Sequence, residues 1–332
     1  MLDAVVGYTA RRFRFAMVMP NLVPPLTSVA AAVAYRDKVL AAAPADSGDF
    51  RPVMALYASP EVDLGDLRTG IADGVVAAVK YYPAGATTNS EAGAASMRDL
   101  MPLYEVLADT GTRLLVHAES TDPTVDIFDR EAHFLEKQLA PLMDEMPELL
   151  VTVEHVSTAA GVELVRDRPG TAATITPHHL ARERSDLLAD GMRPDLYCKP
   201  VINSEADRIR LVEAATSGDP AFCLGTDSAP HPTTAKYGPK AKAGVFNAAY
   251  GLEVVAETFH TNGALDALPA FASHNGCAIY GVEAPSDHIT LVREPVDSEL
   301  ATQFTTSAGD EVVLFGVEEA MQWTVSDADP QG

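Results

Sequence analysis

Short apolar runs alternate with helical patterns through most of this chain, and that alternation limits the fold more than any other feature. The runs are "FRFAMVMPN" (13–21), "RPVMALYAS" (51–59), "VVAAVKYYP" (75–83), "RLLVHAE" (113–119), "ELLVTVEHVS" (148–157), "TAATITPHHL" (171–180) and "AFCLGTDSAPH" (221–231). Helical patterns over 26–43, 95–110, 125–146, 158–167 and 204–217 separate most of them, and two more follow at 246–262 and 266–280. In the first, Val29, Val33 and Leu40 recur at helical spacing. Ser204 stands three residues before Asp207, which suits a helix start. Strands alternating with helices predict a parallel sheet with right-handed crossovers.

Two architectures satisfy that pattern. An open doubly wound sheet would carry a glycine-rich phosphate loop, and neither GxGxxG nor GxxxxGK[ST] occurs. A (β/α)8 TIM barrel instead gathers its chemistry at the C-terminal ends of several strands. Asn21, Lys80, His117, His155 and Asp227 fall at such ends, so the barrel is expected. Seven strands are found where a barrel has eight. Residues 1–10 read as the tail of a helix, which places the absent strand first in the barrel. One domain over 1–332 is expected, with a small β extension at about 285–327. There "DEVVLFGVEEAMQWTVSD" (310–327) has strand character.

Composition excludes some functions. The formal charge of −23 disfavours nucleic-acid backbones and anionic membranes. No apolar stretch reaches the roughly 18 residues of a membrane span, and the N-terminus lacks a signal-peptide layout. Cys198, Cys223 and Cys277 form no CxxC pair, so a cytoplasmic setting is expected.

The strand-end residues carry the chemistry. A lone histidine at such a spot is more often a structural hydrogen-bonder. His117 and His155, on successive strands, bring two imidazoles together, and imidazole is a good zinc ligand. Asp227 could cap a helix, but a carboxylate at a buried strand end needs a cation or several donors. His231 lies four residues further on and could reach the same pocket or stay on a surface loop. Lys80 ends an apolar run, where lysine is almost never found unpaired. It could snorkel to the rim. Alternatively, burial pushes its amine toward the neutral form, which can add carbon dioxide to become a carbamate able to bridge two metal ions. Such a pair, about 3.5–4 Å apart, makes a nucleophile of water at neutral pH.

Taken with these residues, "MVMPN", "VKYYPAGATTNS", "LLVHAE", "DIFDREAHF", "VEHVST", "ATITPHHL", "YCKP", "LGTDSAPH" and "AGVFNA" resemble dihydroorotase of the amidohydrolase superfamily, compact bacterial type, from Met1 to about Thr324. The resemblance implies two zinc ions per subunit, bridged by N6-carboxylysine at Lys80. His117 and His155 would bind the second zinc. Asp227 would bind the first and shuttle the proton. Asn21 and the His231 side chain would hold the substrate carboxylate. Thr87 and Thr88 would sit on a loop closing over the substrate, and the backbones of Lys199 and Ala243 would meet the pyrimidine ring. The implied reaction is reversible cyclisation of N-carbamoyl-L-aspartate to L-dihydroorotate in pyrimidine synthesis, by a homodimer.

One departure stands out. The family's first strand ends in His-x-His, followed closely by an arginine, and this sequence has no His-x-His; its nine histidines start at His117. The missing motif falls in the missing strand. Three readings follow: a start-site artefact with the natural chain beginning roughly ten to thirty residues earlier, a catalytically dead structural partner, or another cyclic amidase such as a hydantoinase or allantoinase. The first is favoured, because every other site residue is present. A barrel without its first strand also exposes two edges, so this chain is expected to be less stable than an extended one and prone to aggregate. The lysine-rich stretch 231–244 reads as a substrate-side loop or simply a solvated one.

Overall fold

The computed structural model describes residues 1–90, 93, 94, 96–296 and 299–326. The expected helix start at Ala95 and the end of the expected extension at Asp327 lie outside the described residues. Seven parallel strands form one curled sheet in chain order: β1 (Phe15–Val18), β2 (Arg51–Tyr57), β3 (Ala78–Tyr81), β4 (Arg113–Val116), β5 (Val151–Val153), β6 (Ala172–Ile175) and β7 (Phe222–Leu224). Each expected strand is present, shortened to its apolar centre. Among the described residues, β1 pairs only with β2 and β7 only with β6. The architecture is α/β and TIM-like, with the gap in the sheet between β7 and β1.

Period-two alternation assigns the two faces. Leu56, Val79, Tyr81, Leu114, Val116, Val153 and Ile175 point outward into the main core, against the helices. Ala55, Ala78 and Leu115 point inward, where Met17, Met19 and Tyr280 pack on them. The ladder sets Ala55 beside Ala78, Tyr57 beside Lys80 and Lys80 beside Leu115. Lys80 therefore shares the inner face with Ala78, two residues before it, and His117 shares that face with Leu115. Two small inner residues leave room above them for the polar ends.

Hydroxyl caps start the helices. The side chains of Ser28, Thr158 and Ser204 accept from the backbone N–H of Ala31, Gly161 and Asp207, each worth about 1 kcal/mol. The helix over Val29–Ala42 turns differently from its expected face: Leu40 is exposed, and Ala32 and Val39 are buried. Helix 2–10 is real, spanning Leu2–Ala10. The C-terminal region forms two antiparallel ribbons rather than one sheet: β8 (Thr290–Arg293) with β11 (Trp323–Ser326), and β9 (Gln303–Thr305) with β10 (Glu311–Val313). Part of the stretch expected as strand is the helix Val317–Ala320. Val312 and Leu314 pack with Phe246, Ala248 and Ala249, fixing this region to the body.

Candidate functional site

Four of the expected residues stand at or just past the C-terminal ends of β3, β4, β5 and β7. Lys80 is on β3, His117 follows β4 directly, His155 lies two residues past β5 and Asp227 three past β7. His155 and Asp227 take left-handed backbone angles, φ 43° and 41°, and with Asn89 they are the non-glycine residues so placed among the described residues. Such strain persists where surrounding structure fixes it and concentrates at functional sites. Thr174 supplies part of that fixing. Its hydroxyl accepts the His155 N–H at 2.7 Å and donates to Glu154 Oε2 at 2.9 Å. Gly225 must be glycine for Thr174 to sit there, because a Cβ would lie 2.5 Å from the Thr174 Cβ.

Lys80 is 1% exposed. Burial holds its amine below the ordinary lysine range, opposed by the charges of Glu154 and Asp227. Its Nζ lies 5.2 Å from the Tyr82 ring centre, and Tyr82 in turn stacks on Tyr57 with centroids 5.3 Å apart. Asp227 is exposed, because it stands at the free edge beside β7; the protein packed behind it still pushes its carboxyl up, to about 6, with Lys80 opposing and Glu154 adding to the rise. His117 and His155 are buried, and burial lowers both below the usual histidine value. His117 Nδ1 faces His155 Nε2 at 3.0 Å.

That set fits one metal ion. Two neutral imidazoles present facing nitrogens, and a lysine pushed toward its neutral amine stands on the neighbouring strand. For a second ion these residues supply only Lys80 and Asp227, fewer than a tetrahedral site needs.

Of the residues expected to meet substrate, Asn21, Thr87, Thr88 and Lys199 form a connected group. Asn21 Nδ2 donates to Thr88 O at 3.0 Å, Tyr82 Oη donates to Asn21 Oδ1 at 3.0 Å, and Asn89 Nδ2 donates to Asn21 O at 3.1 Å. Ser90 Oγ ties the loop on itself through Thr87, accepting its N–H and donating to its carbonyl. Lys199 Nζ donates to Ala86 O in the same loop. His231 and Ala243 meet each other, with Nε2 2.9 Å from the Ala243 carbonyl. His231 also lines a cavity of about 140 Å³ facing Val312–Val317 rather than the four strand-end residues. The lysine-rich stretch is not simply solvated: Lys236 is 4% exposed, donates to Tyr197 O and Gly244 O, and is lowered by burial to about 8.

Sequence reasoning passed over two carboxylates. Glu119 is buried and its Oε2 lies 3.0 Å from His117 Nε2. Glu154 takes hydrogen bonds from Thr174 and from Tyr280 Oη. The signal was adjacency: each lies within two residues of a candidate ligand. A further trio, His178, His179 and Cys198, converges within 4.8 Å. The two histidines sit on the short helix Pro177–Ala181 rather than on a strand. Hydrogen bonding uses part of this trio: His179 Nε2 and Cys198 Sγ both meet Pro200 O, and Asn247 Nδ2 donates to His178 Nδ1, while the buried His178 Nε2 has no hydrogen-bond partner among the described residues.

No protein-family model matches the chain. A protein of Synechococcus sp. named dihydroorotase is 47% identical over 333 residues, covering 100% of this chain and 93% of the relative. Among solved structures, dihydroorotase from Campylobacter jejuni superposes with TM-score 0.87 and 32% identity, over 98% of this chain and 91% of that one. Dihydroorotase from Saccharomyces cerevisiae in complex with 5-fluoroorotic acid gives TM-score 0.85 and 26% identity, over 98% and 93%.

Proposed function

The chain belongs to the dihydroorotase family, and from that premise we propose that it opens and closes the dihydroorotate ring, interconverting L-dihydroorotate and N-carbamoyl-L-aspartate in pyrimidine synthesis. It is a hydrolase of cyclic amide C–N bonds. The observation that carries the reading is a lysine, two histidines and an aspartate at four strand ends, the lysine buried on the inner face beside acidic groups. The seven strands are read as strands two to eight of a (β/α)8 metal-dependent hydrolase barrel, the gap between β7 and β1 being where strand one belongs. The domain is one unit over 1–332 with its extension at about 285–327, working as a cytoplasmic homodimer.

Zinc would be held by His117 and His155 together with a carbamate on Lys80, and a second zinc by that carbamate and Asp227. Bound there, metal ions polarise the amide carbonyl and lower the pKa of water. The rest falls to side chains. Lys80, its amine pushed toward the neutral form by burial, would attack carbon dioxide; the N–C bond forms, the proton on nitrogen passes to water, and a carbamate anion results. Asp227, raised to about 6, is matched to take a proton near neutral pH and return it to the leaving ring nitrogen. Asn21 and His231 would meet the substrate carboxylate, the Lys199 and Ala243 backbones the ring, and the Thr87–Thr88 loop would close over both, pinned by Asn21 and Lys199.

A second reading is favoured by one observation: the 332 residues contain no His-x-His to complete the ion at Asp227. On that reading the protein is a structural partner that binds one ion and turns nothing over. The test is dihydroorotate ring opening by two purified proteins, each supplied with zinc and bicarbonate: residues 1–332, and the same residues preceded by a strand carrying His-x-His. Turnover by the longer protein and little by the shorter supports the enzyme reading. Equal turnover by both refutes the metal assignment, and none by either, with both folded, supports the partner reading. Hydantoin or allantoin opened faster than dihydroorotate would overturn the substrate.

A further inference from the structure

Glu119 is a buried carboxylate that no step above uses. It is 2% exposed, on the turn after β4. Oε2 lies 3.0 Å from His117 Nε2, and Oε1 lies 3.8 Å from Arg130 Nη1 and 3.9 Å from Lys199 Nζ. An ion buried this deeply is costly without partners, and these three groups answer it from three separate parts of the chain. Each has a further attachment. His117 carries Nδ1 toward His155 Nε2, Arg130 precedes Glu131, which clamps the turn after His155, and Lys199 donates to Ala86 O in the substrate loop.

We propose that Glu119 is the positioning residue of the metal site, holding the proton of His117 on Nε2 so that Nδ1 is bare for the ion, and anchoring Lys199 so that the same carboxylate steadies the substrate loop. This rests on the metal reading above. The chemistry is direct. A carboxylate only accepts, so the nitrogen facing it carries the proton. The imidazole is then fixed in one tautomer and one orientation, and its free nitrogen is made more basic; loss of such a partner typically weakens metal binding about 10–100-fold. The Lys199 contact adds coupling between ion and loop. Glu154, also buried beside a candidate ligand, does not share this role, since its oxygens accept from Thr174 and Tyr280.

The experiment measures zinc affinity by competition with a chelating dye for the 332-residue chain, His117→Ala, Glu119→Ala and Glu119→Gln, with nitrogen NMR of the histidines in the metal-free proteins. The expected result is zinc binding lost in His117→Ala, weakened about 10–100-fold in Glu119→Ala and less in Glu119→Gln, whose amide oxygen still accepts but carries no charge. The wild-type spectrum should show the His117 proton on Nε2, and Glu119→Ala should show both tautomers. Wild-type His117 protonated on Nδ1, or affinity within twofold in Glu119→Ala, overturns the proposal. If His117→Ala binds zinc as wild type does, the metal reading has failed separately, and the wild-type tautomer still decides the role of Glu119 without needing any variant to fold.

Discussion

Replacing Glu131 by glutamine should cost this protein about 3 kcal/mol, and the structure shows why. Glu131 is 3% exposed and its two oxygens take four donors. Oε2 accepts from Ser157 N at 2.8 Å and Ser157 Oγ at 2.7 Å; Oε1 accepts from Thr158 N at 3.0 Å and Thr158 Oγ1 at 2.6 Å. These donors lie just past His155, so the carboxylate locks the turn that carries a candidate ligand. Glutamine keeps the shape but turns one acceptor into a donor. A hydroxyl can rotate and accept from it; a backbone N–H cannot. One buried N–H is left unsatisfied, at about 1–3 kcal/mol, and a charge-assisted bond is weakened as well. For 332 residues the unfolding entropy near the midpoint is about 0.7 kcal/mol/K, so calorimetry should read a Tm lower by about 4 °C. Burial also pushes the Glu131 carboxyl up to about 7, against the pull of its donors. Unfolded glutamate titrates at about 4.3. An acid raised on folding contributes stability that is complete below its unfolded value and is lost as pH rises through its folded one. The four-donor arrangement is that of the ionised carboxylate, so the cost of about 3 kcal/mol is read at about pH 8, above the folded value. An unchanged Tm there would refute the reasoning.

Three more outcomes follow from the site. Gly225→Ala drives a methyl into Thr174, so it should cost about 2 kcal/mol or more and weaken zinc binding, because Thr174 holds the His155 backbone; calorimetry and zinc titration check both. Zinc at about 100 times its dissociation constant should stabilise the protein by about 2.7 kcal/mol, and a chelator should remove that gain, with no such gain in His155→Ala. Asn21→Ala releases the Thr88 carbonyl and the Tyr82 hydroxyl together, so it should raise KM for dihydroorotate more than it lowers kcat, measured in whichever protein turns over.

The sheet was legible in the sequence because buried parallel strands are near-continuous apolar runs, and all seven run where such runs occur. That Lys80, His117, His155 and Asp227 stand at strand ends was legible for the same reason: a polar residue that ends an apolar run is conspicuous. Helix faces were less so. Val33 and Leu40 fit a helical spacing as well as Ala32 and Val39 do, and only the packing of Val29–Ala42 on its neighbours shows that Val39 goes in and Leu40 out. Glu119 and Glu154 were missed because a glutamate beside a histidine looks like any surface acid until the neighbouring strands close around it. Lys236 was missed for the opposite reason: its loop is polar throughout, yet the carbonyls of Tyr197 and Gly244 draw that one ammonium inside.

The central claim is that burial on the inner face shifts the Lys80 amine toward its neutral form, so that it can take up carbon dioxide. Carbon NMR of the folded chain supplied with zinc and carbon-13 bicarbonate tests this directly. The account predicts one slowly exchanging carbamate resonance, absent in Lys80→Met. No carbamate resonance from a folded, zinc-bound protein, or the same resonance in Lys80→Met, would contradict it.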